Sequence, residues 1–202
     1  MTLLFDRHLL VSLQPVLRFD HWLFSRINGH WTNGLFDTVF PFLRQAEFWL
    51  PFYLFLLVFA TLNFRKKGWL WSFTLIMTAV ISDLLSSHLI KELVFRYRPC
   101  RDPSMLDEVR TLAVYCPQSS SFVSSHACNH FAAAVFIFLT MKQTSRLWGL
   151  IFLWAFSISY AQVYVGVHFP IDVICGAILG CFIGYGMTVF FRRQFGTLSL
   201  KQ

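Results

Sequence analysis

The run VICGAILGCFIGYGMTVFF, residues 173–191, contains no charged side chain, and it is bounded by Asp172 on one side and Arg192-Arg193 on the other. At about 1.5 Å of rise per residue, a helix of this length matches a bilayer core about 30 Å thick. Gly176, Gly180, Gly184 and Gly186 would let a partner helix approach closely. Four more apolar runs precede it. Residues 48–64 are uncharged, 69 to about 94 are apolar until Asp83 and Lys91, 126–141 are uncharged apart from their histidines, and 147 to about 166 are uncharged. A span needs about 17 residues at the least, so the run 126–141 needs its flanks to qualify.

Composition agrees. Of 202 residues, 56% are hydrophobic and 13% charged, with 24 Phe and 7 Trp for lipid contact and interfacial anchoring. The net charge of +7 raises a nucleic-acid reading, but the bases bracket apolar runs instead of forming one stripe, so no nucleic-acid partner is expected. No basic region followed by an apolar run and a small-residue site opens the chain, so no cleavable signal is expected.

In residues 1–45, Leu3, Leu4, Leu9, Leu10, Val11, Leu13, Val16 and Leu17 alternate with Asp6, Arg7, His8, Arg18 and Asp20. Charges recur too often for a span, and one or two amphipathic helices lying on the membrane surface are expected. Asn28-Gly29 and Asn33-Gly34 mark turns. The expected fold is all-α. It comprises a polytopic membrane helix bundle of about five transmembrane helices over 46–194, the interfacial segment over 1–45, and a cytoplasmic tail over 195–202.

Three segments carry bases and no acids: Arg65-Lys66-Lys67, then Lys142 with Arg146, then Arg192, Arg193 and Lys201. They follow the first, third and fifth runs, which puts them in the cytoplasm by the positive-inside rule. The other connections then face outward. One of them, residues 96–123, is long for a loop and holds Cys100 and Cys116. An outer loop meets an oxidising compartment, where these two would form a disulfide; the alternative is two free thiols. Cys128, Cys175 and Cys181 lie in spans and read as small packing residues.

Three polar clusters fall on that outer side. Lys91 and Arg98 are seven residues apart, about two helical turns, and share a face if the helix persists, while Pro99 marks its end. Such a cation pair can clamp a phosphate; the plainer reading is snorkelling to headgroups. Ser124-Ser125-His126 opens an apolar run, and a serine-capped helix N-terminus attracts anions; the plainer reading is a cap beside an interfacial histidine. His168 and Asp172 are four apart, with Pro170 suited to a first helical turn. A carboxylate on one ring nitrogen raises the basicity of the other, as a phosphate nucleophile needs; the alternative is a capping Asp that merely touches the ring. His126 and His130 have half the spacing of a zinc site, but no third ligand is near, and no metal is assigned. Asp83 and His88 read as functional candidates or as buried structural hydrogen bonds.

The order Lys91-x6-Arg98-Pro99, Ser124-x-His126 and His168-x3-Asp172 resembles the type-2 phosphatidic acid phosphatase superfamily, which shares its active site with vanadium haloperoxidases. The resemblance covers roughly residues 48–191. The second motif reads Val123-Ser124-Ser125-His126 where Pro-Ser-Gly-His is usual. The third reads Ala161-Gln162 where the family carries Ser-Arg, so a glutamine stands in place of a phosphate-contacting arginine. Glutamine donates hydrogen bonds but brings no charge. That departure points to weaker oxyanion stabilisation, a different headgroup, or a reduced or absent activity.

The resemblance implies a membrane lipid phosphatase of the cell envelope. His168 would attack phosphorus and form a phosphohistidine, Asp172 would orient it, and His126 would protonate the leaving oxygen. Lys91, Arg98, Ser124, Ser125 and Gln162 would bind phosphate, with no metal or other cofactor. The implied substrate is a phosphorylated membrane lipid: a polyprenyl diphosphate, ranked first by analogy, or phosphatidic acid, phosphatidylglycerophosphate or a lipid A phosphate. The short chain suggests a bacterial inner membrane with the site on the periplasmic side. Two other classes remain open: a lipid phosphotransferase, and a non-catalytic phospholipid-binding or translocating protein. Oligomeric state is not legible.

Overall fold

A computed structural model describes residues 7–198, with side chains from Gln14 onward. Leu3, Leu4, Asp6 and Lys201 of the patterns above lie outside the described residues, as do the side chains of Arg7, His8, Leu9, Leu10, Val11 and Leu13. Among the described residues all regular structure is helical: α1 (Arg7–Ser25), α2 (Gly34–Leu43), α3 (Leu50–Phe64), α4 (Lys66–Asp83), α5 (Lys91–Leu93), α6 (Ser125–Met141), α7 (Ile151–Tyr164) and α8 (Pro170–Phe195).

Among the described residues four helical stretches are long and apolar enough to cross a bilayer: Ala46–Phe64, Lys66–Leu93, Arg146–Tyr164 and Pro170–Phe195. The run 126–141, expected as a fifth span on condition of its flanks, forms α6, a shorter apolar helix of 17 residues. Its position explains its composition. Packed against α4, α7 and α8, α6 buries Ala127, Cys128, Ala132, Ala134, Phe136 and Ile137. A helix enclosed on several sides needs small side chains where its neighbours press closest.

The closest neighbour is α8. A Cβ on Gly176, Gly180 or Gly184 would strike the carbonyl oxygen of Ser124, Cys128 or Ala132 respectively. Both series advance by four residues, so the two backbones touch once per turn along a seam without side chains. Gly186, grouped with them in the sequence, faces open space. Elsewhere the bundle is held by larger groups. Trp71 of α4 is fully buried, and its Nε1 donates to Thr140 Oγ1 of α6 at 2.7 Å.

The stretch that carries Lys91 is not one regular helix. After Asp83 it widens into a π-helix over Leu84–Ile90, closes with α5, and leaves helical geometry at Val94 (φ −125°, ψ 105°). The expected shared helical face of Lys91 and Arg98 is therefore absent. Arg98 is extended (φ −77°, ψ 151°), as the ring of Pro99 requires of the residue before it. Asp83 accepts hydrogen bonds from Ser87 and from Asn129 of α6, which is the structural role of the two considered, while His88 is exposed.

The N-terminal helices are amphipathic in place as well as in sequence. Val16, Phe19, Trp22, Leu35 and Phe42 are exposed, while Phe24, Ile27 and Phe40 enter a core shared with Met105, Tyr164, Val167 and Phe169. Asn28 lies in a π-helical turn and acts as a rivet: its side chain donates to the carbonyls of Tyr164 and Arg110 and accepts from Arg110 N. Asn33 caps α2 by accepting from Phe36 N at 2.9 Å. The connection 96–123 is pinned to this core by an Arg110–Asp37 ion pair of 2.8 Å and is closed by a disulfide between Cys100 and Cys116, with Cα atoms 6.1 Å apart.

Candidate active site

A cavity of about 870 Å³ opens among α3, α4, α6 and the 96–123 connection. One end is polar. Arg44, Lys91, Arg98, Ser125, His126, Gln162 and His168 line it. The other end is apolar, formed by Leu54, Leu57, Leu75, Ile76, Ala79 and Val80 between α3 and α4. All three sequence clusters thus meet on one surface, although Ser124 and Asp172 stand behind the wall rather than on it.

His168 is 2% exposed and sits just before α8. Its Nε2 lies 2.9 Å from Nη1 of Arg98. A guanidinium has no acceptor, so Nε2 must present its lone pair and the ring proton must be on Nδ1. On that side Ser121 Oγ is 3.3 Å away and itself donates to Asp172 Oδ2. Asp172 Oδ2 is 3.7 Å from Nδ1, too long for a hydrogen bond. The carboxylate therefore holds the ring chiefly through Ser121, not by the direct bond expected of an i, i+4 pair. The reason is local: Oδ2 also accepts from Phe169 N at 2.9 Å, which turns the carboxylate back to cap α8. Burial first, and the charge of Arg98 with it, bring the His168 pKa down to about 4, against the partial opposition of Asp172.

Arg98 is 5% exposed, and its hydrogen-bond partners are all neutral. Nε donates to Ser119 O, Nη1 to Val167 O and His168 Nε2, and Nη2 to Ser119 Oγ and Ser120 O. Burial lowers its pKa to about 10, so it remains a cation at neutral pH. Among the described residues no carboxylate lies within ion-pair distance of Arg44, Lys91 or Arg98. Three cations thus line one cavity without a direct ion pair, and one carboxylate, that of Asp83, lines it with them.

Ser124 is fully buried and caps α6, its Oγ accepting from Ala127 N, while its own N–H donates to Asp172 O at 2.9 Å. That last bond ties the second and third sequence clusters together. Ser125 Oγ is hydrogen-bonded to Ser87 Oγ at 2.8 Å and faces the cavity. His126 lines the cavity; its ring is parallel to that of His130 at 6.4 Å, and His130 Nδ1 donates to His126 O. Among the described residues no three His, Cys, Asp or Glu side chains converge. Gln162 is fully buried, and its Oε1 accepts from Arg44 Nε at 3.3 Å.

Three residues here escaped the sequence reading. Ser121 closes a serine run whose members all serve the site. Arg96 bridges Asp172 Oδ1 at 2.6 Å and Asp20 of α1, and lies over the Phe169 ring. Burial opposes its charge, but the carboxylates of Asp172 and Asp20 outweigh this and hold its pKa above the usual value. A usable signal existed for Arg96. It stands two residues before Arg98 in a segment that Pro99 biases toward extended backbone, where alternate residues share a side. Arg44, far away in sequence, gave none.

Known proteins resemble this chain in sequence and fold. The chain is 28% identical over 177 residues to a lipid A 4'-phosphatase of Porphyromonas gingivalis, covering 86% of this chain and 73% of that protein. It is 32% identical over 181 residues to an undecaprenyl-diphosphatase of Sulfolobus acidocaldarius, covering 87% and 80%. The crystal structure of Aquifex aeolicus LpxE superposes with a TM-score of 0.65 at 28% identity, over 84% of this chain and 94% of that one. The PAP2 superfamily model matches residues 69–195, the stretch from α4 to the end of α8 that carries Lys91, Arg98, His126, His168 and Asp172, and the chain belongs to that superfamily.

Proposed function

We propose that the protein is an integral membrane lipid phosphatase that removes a terminal phosphate through a phosphohistidine on His168. The observation that carries this reading is the unprotonated Nε2 of His168 beside Arg98, at the polar end of a cavity that continues into an apolar groove. The relatives support the substrate class: a lipid A 4'-phosphatase and an undecaprenyl-diphosphatase both act on phosphorylated lipids.

The phosphate sits among Arg98, Lys91 and the amides that open α6, with Ser125 at its edge. Nε2 of His168 attacks phosphorus, the bond from phosphorus to the lipid oxygen breaks, and protonated His126 gives its proton to that oxygen. Neutral His126 then takes a proton from water, which attacks the phosphohistidine and releases inorganic phosphate. Ser121 and Asp172 hold the ring and stabilise the charge that develops on it. Ser124 acts by capping α6 and by fixing it to α8. The fixed cations supply the electrostatic stabilisation, so turnover is expected without added metal. The lipid tail follows the groove between α3 and α4. The bases at 65–67, at 142 and 146, and at 192–193 support an orientation with the site on the outer, periplasmic face of a bacterial inner membrane.

The test is phosphate release by the purified protein, in detergent with a chelator present, from polyprenyl diphosphate, phosphatidic acid, phosphatidylglycerophosphate and lipid A phosphate. His168→Ala is expected to abolish release with membrane insertion unchanged. Near-wild-type turnover by that variant overturns the nucleophile assignment.

A further inference from the structure

Arg44 ends α2, in the N-terminal segment outside the matched family stretch, yet its side chain reaches the polar end of the cavity. Its only hydrogen-bond acceptor among the described side chains is Gln162 Oε1, 3.3 Å from Nε. Arginine can only donate, so the amide oxygen must face Arg44 and the amide nitrogen must face elsewhere. That nitrogen, Nε2 of a fully buried residue lining the cavity, has no hydrogen-bond partner among the described residues. A buried unpaired donor is costly unless a ligand satisfies it. Arg44 in turn is a half-buried cation with no carboxylate within ion-pair distance among the described residues. Two unsatisfied groups, joined to each other and facing the same space as Arg98 and His168, call for an acceptor-rich anion between them.

We propose that Arg44 and Gln162 together form a phosphate-binding arm, in which Gln162 holds Arg44 by its oxygen and both donate to the phosphoryl oxygens of the bound lipid. The inference rests on the phosphatase reading and deepens it. The α7 position contributes an uncharged donor, and the charge arrives from α2. The N-terminal segment is then part of the anion site, and phosphate bridges α2 to α7. This geometry favours a headgroup whose phosphate is approached from the side of α2.

The experiment measures two quantities in the full-length protein: the inhibition constant of inorganic phosphate during lipid turnover, and the rise in melting temperature that inorganic phosphate produces in detergent. Arg44→Gln is expected to weaken phosphate by about tenfold to a hundredfold in both, the loss typical of a charge-assisted hydrogen bond. Arg44→Lys recovers part of it. The exchange variant Arg44→Gln with Gln162→Arg returns the charge to the same space from the other side, and brings phosphate back to within several-fold of the wild type. A merely structural arginine is not rescued this way. Arg44→Met serves if Arg44→Gln does not fold. Unchanged phosphate binding in either folded variant overturns the proposal. Should the wild type release no phosphate from any lipid, the phosphatase reading fails on its own, and the melting-temperature arm still decides the role of Arg44.

Discussion

Nη1 of Arg98 is 2.9 Å from Nε2 of His168, and this contact determines the chemistry available to the ring. A donor that stays protonated at neutral pH faces the nitrogen that must carry the lone pair. The proton stays on the far side, toward Ser121 and Asp172. In the proposed reaction an incoming phosphate dianion would compete for the same guanidinium, and its binding would free Nε2 as phosphorus arrives beside it.

The pH profile follows. Burial, reinforced by Arg98, places the His168 pKa at about 4, so the ring stays neutral well below its ordinary titration range. Protonation removes the nucleophile, so activity falls as pH drops through the folded-state value. The His168 limb of kcat/KM, which reports the free enzyme, is expected near pH 4 rather than near 6.5. An acid limb near 6.5 instead contradicts the assignment.

Ser121→Ala removes the hydroxyl between His168 Nδ1 and Asp172 Oδ2. Orientation and charge stabilisation of the ring are lost, while the phosphate-binding cations remain. A fall in kcat of about tenfold to a hundredfold is expected, with KM little changed. Steady-state kinetics on one lipid separates this from a binding defect, which raises KM instead.

Arg96→Met leaves Asp20 and Asp172, both fully buried, without their shared cation. Breaking a buried pair from one side costs about 3–5 kcal/mol, so a lowered melting temperature is expected together with lost activity. Asp20→Asn is the milder change, since Asn keeps an acceptor for Ile171 N. Combining the two is expected to cost less than the sum, and strict additivity in a thermal-shift cycle would argue against the bridge.

Gly180→Ala puts a methyl group into the carbonyl oxygen of Cys128. The backbones must separate, at a cost of about 1–3 kcal/mol. Gly186→Ala, which meets nothing within 4 Å, is the matched control and is expected to be neutral. Melting temperatures in the same detergent compare the two.

Reducing the Cys100–Cys116 bond frees the connection that carries Arg98 and Ser121. A closed loop of about 15 residues is worth on the order of 3 kcal/mol. Reductant is therefore expected to lower both melting temperature and turnover, and Cys100→Ser with Cys116→Ser to do the same without reductant. Ready thiol labelling of both cysteines under non-reducing conditions removes the premise.

The bundle was legible because lipid demands long uncharged runs. Lys91, Arg98, His126 and His168 were legible because each stands at the end of such a run. The same logic failed where the chain leaves the helix. Seven residues between Lys91 and Arg98 imply two turns, but the π-helix and the break at Val94 bring the pair to one cavity by another route. Ser121 belongs to an irregular segment with no period to read. Arg44 meets Gln162 across 118 positions, a pairing that only tertiary structure creates.

The seam of Gly176, Gly180 and Gly184 against Ser124, Cys128 and Ala132 has a mechanical consequence. Sliding one helix along the other would drive side chains into three carbonyls at once, so the axial offset between His126 on one helix and Asp172 on the other is set by main chain alone. The lipid-facing wall of α3 and α4 is built from flexible aliphatic side chains instead. On the proposed function, tails of different girth would be accommodated there by rotamer changes while the interval between His126 and Asp172 stays constant.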